Sequence, residues 1–353
     1  MIIYKSFHNI NVSAGTLTRK NMPEDFDSFV NSYIAFAIRN GNNKEYNITD
    51  SNSTVVHCIS SIAANSINNP NPTEDDLQDL DGFSNSIATK LLHEEQQAQQ
   101  RIAAMGKQIK LGSLIQALIK RDNEEYMYIV AKVEHSEWYD GESLRKNLGF
   151  PSEKKNVWKS AVFPMVIQDD ISFDCVRVYT DNEAKYWAQQ FLDLSEKRND
   201  QTNTSSAFDA IEIELKRRVR RESERDYYYL RNALIQTLKS RQLINYVDMV
   251  ENLVGQYQPD EPKLKMNELK DALLALPEKR KFDRQFISVP DAIKKRRKLK
   301  FPVTNAIELS IEEGTANYRD TVKAVELDGG KKYLQIECHF SDTYKLFSSP
   351  KTN

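Results

Sequence analysis

Long apolar runs are missing from this chain. No stretch of about 20 apolar residues occurs, so no membrane-spanning helix is expected. Cysteine is scarce as well. Cys58, Cys175 and Cys338 are widely spaced and odd in number, which excludes a disulfide framework. The pairs His57–Cys58 and Cys338–His339 lack zinc-finger spacing, and neighbours on a strand point to opposite faces. Buried thiols are the expectation, with no metal and no cofactor. Glycine numbers only 11, and none of it forms a phosphate-cradling loop. There is no His-Glu-x-x-His pair and no Gly-x-Ser-x-Gly elbow, so the usual zinc-protease and esterase chemistries find no support. The opening Met-Ile-Ile-Tyr-Lys-Ser-Phe-His has no basic region followed by an apolar stretch and cleavage site. A cytoplasmic location is therefore expected, and the acceptor triplets at Asn47 and Asn52 are not expected to carry glycans.

What the chain does have is charge, unevenly placed. Forty-nine Lys+Arg against 51 Asp+Glu give a formal net charge of −2. Asn203 to Lys300 holds 22 basic and 15 acidic residues, a net of +7, while the remainder holds 27 and 36, a net of −9. Such asymmetry points to a polyanion-binding region. The cations form three clusters: Lys216, Arg217, Arg218, Arg220 and Arg221; then Lys279, Arg280, Lys281 and Arg284; then Lys294, Lys295, Arg296, Arg297, Lys298 and Lys300. On a helix with the core stripe Phe208, Ile211, Leu215 and Val219, residues Arg217, Arg220 and Arg221 project to another side. A compact cationic face suits phosphates, because neutralising them releases counterions. The competing expectation is a solvated face with Glu212, Glu214, Glu222 and Glu224 as salt-bridge partners. The third cluster sits at the end of an expected short helix, where the macrodipole also favours cations. A eukaryotic nuclear-localisation signal is its other reading. Arg225 and Arg231 flank Tyr227, Tyr228 and Tyr229, whose rings are suited to stacking on exposed bases. Tyr227 also belongs to a core stripe with Leu230, Leu234 and Leu238.

Periodicity supplies an outline. Met1–Val12 reads as a strand, Glu24–Arg39 and Asp81–Arg101 as amphipathic helices, and 40–75 as irregular with a short element at Val55–Ala64. Leu111–Ile119 with Glu125–Val133, and Val157–Ile167 with Ser172–Tyr179, read as two strand pairs, closed by a helix over Glu183–Ser195. Glu196–Ser206 is polar and reads as a domain boundary. Helices are expected from Ser206, capped with Asp209, and at Glu224–Lys239, Tyr246–Gly255, Met266–Leu276 and Pro290–Lys298. A strand at Ile307–Ile311 and a hairpin, Thr321–Leu327 with Lys332–His339, end the outline. The class is α+β: an N-terminal antiparallel sheet with helices, then a helical basic segment and a C-terminal β-hairpin region.

Four stretches resemble the bacterial nucleoid-associated protein family of the NdpA/YejK type. Gly112-Ser-Leu-Ile looks like its strand entry, and Tyr128-Ile-Val-Ala-Lys-Val like its apolar strand ending in a lysine. Lys159-Ser-Ala-Val resembles its next strand, and Tyr186-Trp with Phe191-Leu192-Asp193 its aromatic helix. The likeness covers most of the chain after Asp81 and implies a cytoplasmic protein associated with the chromosome. It assigns no individual binding residue.

The expectation is a non-enzymatic, largely sequence-tolerant protein for double-stranded DNA in the cytoplasm and nucleoid. Residues 1–200 form an α+β domain available for self-association or a partner contact. Residues 201–345 contact DNA through Lys216, Arg217, Arg220, Arg221, Arg225, Arg231, Lys279, Arg280, Lys281, Lys294, Lys295, Arg296, Arg297, Lys298 and Lys300. Two alternatives belong to other classes. One is a metal-dependent nuclease or other DNA-acting enzyme, for instance in anti-phage defence, built on Asp122, Glu124, Glu125, Lys132 and Glu134; separately, His135 at a strand end reads as a general base or as a satisfied surface histidine. The other is a protein-interaction module.

Overall fold

The strand expected at the start is present: Ile2–Asn11 (β1), with Ser6, Phe7 and His8 all buried, pairs with Thr16–Arg19 (β2). Glu24–Arg39 (α1) follows, with Val30, Tyr33, Ile34 and Ala37 on its buried stripe. Then come Lys44–Ile48 (β3), Thr54–Asn68 (α2) and Glu74–Ala103 (α3). A reciprocal cap starts α3: the Asp76 N–H donates to the Thr73 hydroxyl and the Thr73 N–H to the Asp76 carboxylate. Gly112–Lys120 (β4) and Tyr126–Glu134 (β5) form the central hairpin, and Ser136–Tyr139 (β6) with Lys146–Gly149 (β7) a separate ribbon. Val157–Ile167 (β8), Ile171–Phe173 (β9), Val176–Thr180 (β10) and Leu194–Glu196 (β11) complete this half. The computed structural model describes residues 1–69, 71–104, 106, 108–109, 111–121, 124–139, 142–143, 145–150, 157–168, 170–183, 185–296, 298–312, 321–327 and 329–348.

Nine strands make one antiparallel sheet in the order β11-β3-β10-β8-β5-β4-β1-β2, with β9 on β8. Its centre is covered twice. Tyr128, Val130, Leu114 and Phe163 pack with α2, α3 and Trp187 on one face; Ile115, Ala117, Ile129 and Val162 pack with α1 on the other. Burial on both faces explains why β4 and β5 are continuous apolar runs, not alternating ones.

Two expectations fail here. The 40–75 region is not mostly irregular: it supplies a sheet strand, a full helix and the start of α3. The helix expected over Glu183–Ser195 is shorter: Lys185 and Tyr186 are α-helical and run into a π turn, Trp187–Phe191, followed by β11. Asp193 adopts a left-handed φ of 53°, which ends the turn. Leu194–Glu196 then satisfies the open edge of β3 by pairing with Ile48, Asn47 and Tyr46.

The second half is helical: Asp200–Arg218 (α4) and Glu224–Lys239 (α5), then Leu243–Asn245 (β12) and Tyr246–Val250 (α6) running into a π turn at Glu251–Gly255. Met266–Leu274 (α7), Leu276–Arg280 (α8) and Gln285–Ile287 (β13) lead to a 3-10 turn at Pro290–Arg296. Phe208, Ile211, Leu215, Tyr227, Leu230, Leu234, Phe286 and Ile293 share a second core. The polar segment Glu196–Ser206 is largely structured, ending β11 and starting α4. Asn199 caps α4 by accepting from the Thr202 N–H at 2.8 Å, seven residues before the expected cap at Ser206. Asn203 and Thr204 are buried because Asn203 donates to Asp283 at 2.8 Å and Thr204 accepts from the Val289 N–H at 3.0 Å. The same junction ties the halves together. Arg198 reaches Glu45 at 3.0 Å and Asp283 at 2.6 Å, Lys44 reaches Asp200 at 2.7 Å, and Gln285 bonds both backbone groups of Thr180.

Lys298–Pro302 (β14) pairs with Glu308–Glu312 (β15), and Val322–Leu327 (β16) with Lys331–Ile336 (β17); Ser341–Phe347 (α9) follows. From β16 onward no described residue is buried. Phe340, Tyr344 and Phe347 are 76%, 65% and 87% exposed and fall at helical spacing on one stripe. An element that buries nothing adds little to the cooperative unit. Deleting residues 321–353 is expected to leave Tm within about 2 °C of the parent by calorimetry, while hydrophobic-dye binding falls.

Candidate nucleic-acid interface

The first cluster ends α4, where three cations lie on the negative end of the macrodipole. Most of its charge is spent locally. Lys216 bonds Glu212 at 2.9 Å, Arg217 and Arg218 both bond Glu214 at 2.6 and 3.0 Å, and Arg220 bonds Glu224 at 3.1 Å. Arg231 is buried and crosses from α5 to Glu212 at 2.6 Å. Arg225 pairs with Asp260 at 2.6 Å, Arg284 with Glu278 at 3.2 Å and Lys300 with Glu308 at 2.7 Å. Burial pushes the Glu212 and Glu214 carboxyls up, but hydrogen bonds from Arg231 and Lys216, and from Arg218 and Arg217, outweigh it and hold both below the ordinary carboxylate range. They therefore stay ionised at neutral pH. The cationic face of α4 is thus compensated only in part: Lys216, Arg217, Arg218, Arg220 and Arg231 share the three carboxylates of Glu212, Glu214 and Glu224.

Six cations from the expected set remain exposed without an ion pair among the described residues: Arg221, Lys279, Arg280, Lys281, Lys294 and Lys298. Three of them are consecutive. α8 ends at Lys281 in the left-handed region, φ 57° and ψ 54°, with its N–H donating to the Pro277 carbonyl. That turn leaves Lys279, Arg280 and Lys281 in solvent while Phe282 and Asp283 enter the core. α8 and the 3-10 turn bearing Lys294 both pack against α4, so one helix supports both groups. The third cluster does not lie on one helix as expected. The chain leaves the 3-10 turn for β14, which separates Lys294 from Lys298 and Lys300. Lys295 and Arg296 enter as backbone of that turn, and Arg297 lies outside the described residues.

A second assembly of charge escaped the sequence reading. Lys132 of β5 and Lys159 of β8 are directly opposite in register, and only 1% and 4% exposed. Lys132 is ion-paired with the fully buried Glu95 of α3, which also accepts from the Tyr186 hydroxyl at 3.0 Å. Lys159 lies 3.7 Å from Asp181 and over the Tyr186 ring at 5.8 Å. Burial, then the charge of Lys132, lowers the Lys159 pKa. Gly112 is required by this packing: a Cβ there would stand 2.9 Å from the Lys132 side chain and 2.8 Å from the Val133 carbonyl. The signal was present in the spacing. Glu95 continues the Ile87, Leu91 stripe of α3, and Lys132 continues the Tyr128, Val130 face of β5.

The nuclease alternative placed its carboxylates along the central hairpin. Glu124 and Glu125 sit at the turn and Glu134 at the far end of β5, about 30 Å away at roughly 3.4 Å per residue. Asp122 lies outside the described residues. Among the described residues no three of His, Cys, Asp and Glu are grouped to hold a metal ion. His135 is half-buried, with Nε2 2.8 Å from the Ser113 hydroxyl and its ring edge-on to Phe150 at 4.6 Å. Ser113 is fully buried, so this pair ties β4 to the strand end.

Among the described residues no helix is long and apolar enough to cross a membrane. No protein-family model matches the chain, and neither the curated proteins nor the solved structures hold a match to it. The geometry defines the class: an α+β protein whose helical half carries a small set of uncompensated surface cations.

Proposed function

We propose that this protein binds double-stranded DNA through the phosphate backbone with little sequence preference, as nucleoid-associated proteins of the NdpA/YejK type do. The observation that carries the reading is the exposed triplet Lys279, Arg280 and Lys281, joined by Arg221, Lys294 and Lys298, in a segment where the neighbouring cations share a smaller number of carboxylates. Unmatched cations retain the electrostatic energy that phosphate contact releases. The contact surface thus moves from the α4 cluster to the α8 end. The Lys279→Gln, Arg280→Gln, Lys281→Gln variant should flatten the slope of log affinity against log salt on a short duplex by about 0.9 per lost contact. Arg217→Gln should change that slope little, because Glu214 already holds the guanidinium. Equal affinity and equal slope for parent and triple variant, measured by fluorescence anisotropy, would refute the assignment.

A protein-interaction role is favoured by a different observation, the apolar stripe Phe340, Tyr344 and Phe347 on the exposed arm. It leaves the cationic surface free and is compatible with DNA binding.

A further inference from the structure

Three consecutive tyrosines open α5 and meet three different fates. Tyr227 is buried in the helical core. Tyr228 is half-buried and packs against Phe301 of β14, ring centroids 5.1 Å apart. Tyr229 is 63% exposed, and its ring stacks on Tyr257 at 5.2 Å with 24° between the planes. Tyr257 cannot swing away freely. Its hydroxyl donates to Asp226 at 2.6 Å, and Asp226 also accepts from the Asp260 N–H at 2.9 Å and the Glu261 N–H at 3.2 Å. Those bonds hold the Asp226 carboxyl below its ordinary range against the opposing effect of burial.

The stacked pair borders an open cleft of about 540 Å³, lined also by Arg225, Gln256, Gln258 and Asp260. That volume is within the range of small-molecule sites. The lining suits one chemistry: a flat π face prefixed by its neighbour, two uncharged amides that can both donate and accept, and at the rim a guanidinium paired with the Asp260 carboxylate at 2.6 Å. Arg225 and Tyr229 are one helical turn apart and so share a face of α5. Arg221, exposed and without an ion pair among the described residues, lies just ahead of the Ser223 cap and brings a phosphate contact close to the same end.

We infer that this cleft binds an unpaired nucleobase, so that the protein engages single-stranded or gapped DNA at Tyr229 as well as duplex backbone at the α8 end. The inference rests on the DNA-binding reading, but on different residues. Bases in an intact duplex keep both faces stacked, so only an unpaired base can use an exposed tyrosine. The prefixed stack reduces the ordering that binding would otherwise cost.

The test uses the full chain and a short single strand containing 2-aminopurine, with a matched duplex as control. The parent should quench the 2-aminopurine. Tyr229→Ala should lose the quenching and bind the single strand about 5- to 100-fold more weakly, with duplex affinity unchanged. Tyr229→Phe should retain both properties, since the ring and not the hydroxyl is at work. The inference is overturned if Tyr229→Ala binds the single strand as the parent does, or loses duplex affinity equally. It is also overturned if a proline-rich peptide, and not the single strand, competes for this cleft. A parent that binds duplex but not single strand removes the cleft alone; a parent that binds neither removes the DNA reading beneath it.

Discussion

Replacing Glu95 by alanine is expected to cost about 3–5 kcal/mol of unfolding free energy, the loss typical of breaking a buried ion pair from one side. Glu95 and Lys132 are 0% and 1% exposed, so neither can recover hydration in the folded state. The variant would leave Lys132 facing Lys159 across β5 and β8 with its compensating carboxylate gone. It would also strip the acceptor from the Tyr186 hydroxyl. The pair itself is a poor source of net stability, because desolvation offsets the attraction, and the Oε2 of Glu95 accepts no hydrogen bond among the described residues. Two variants therefore separate the effects. Glu95→Ala should lower the urea midpoint sharply, whereas Glu95→Leu with Lys132→Met should return most of it. If Glu95→Ala cost under about 1 kcal/mol, the cluster would have to be hydrated in solution and the burial argument would fail.

The second large effect is a pH response centred on one histidine. His8 lies on β1 with no exposed surface. Burial, and then the charge of Arg19, lower its pKa from 6.5 to about 4, against a weaker raising effect of Asn85. The unfolded chain takes up this proton near pH 6.5, and the folded chain only near pH 4. Between those values the unfolded state binds more protons, so stability falls as the pH is lowered. The full difference is about 3 kcal/mol at roughly 1.4 kcal/mol per unit. His135, also lowered by burial and then by Lys132, contributes in the same direction. His8→Gln should flatten the dependence of unfolding free energy on pH across that window, read from urea melts at several pH values. A profile parallel to the parent's would show that His8 is not the responsible group. Below this window Glu212, Glu214 and Asp226, all held low in the fold, are protonated in turn, and their contribution is lost as well.

Much of the fold was legible in local pattern. The strands of the central hairpin, α1, α5 and the C-terminal hairpin lie where their periodicities place them. The misreadings have a shared cause. Glu196–Ser206 is polar and reads as a domain boundary, but polarity does not reveal that Asn203 and Thr204 are buried there by partners 80 and 85 residues away. Leu194 and Ser195 read as the end of a helix because they follow the apolar Phe191-Leu192 and carry no sign of the vacant strand edge beside them. The candidate site was half legible. Clusters of cations are visible in sequence, and so are the glutamates four residues from them, but not which pairs close.

By itself the sequence determined the α+β class, the alternation and helical stripes that build two cores, and the concentration of positive charge in the second half. Tertiary structure alone decided which cations stay free and which carboxylates become buried partners. Those outcomes depend on distances of a few ångström between residues far apart in the chain, because charge interactions reward contact geometry and burial, neither of which composition encodes.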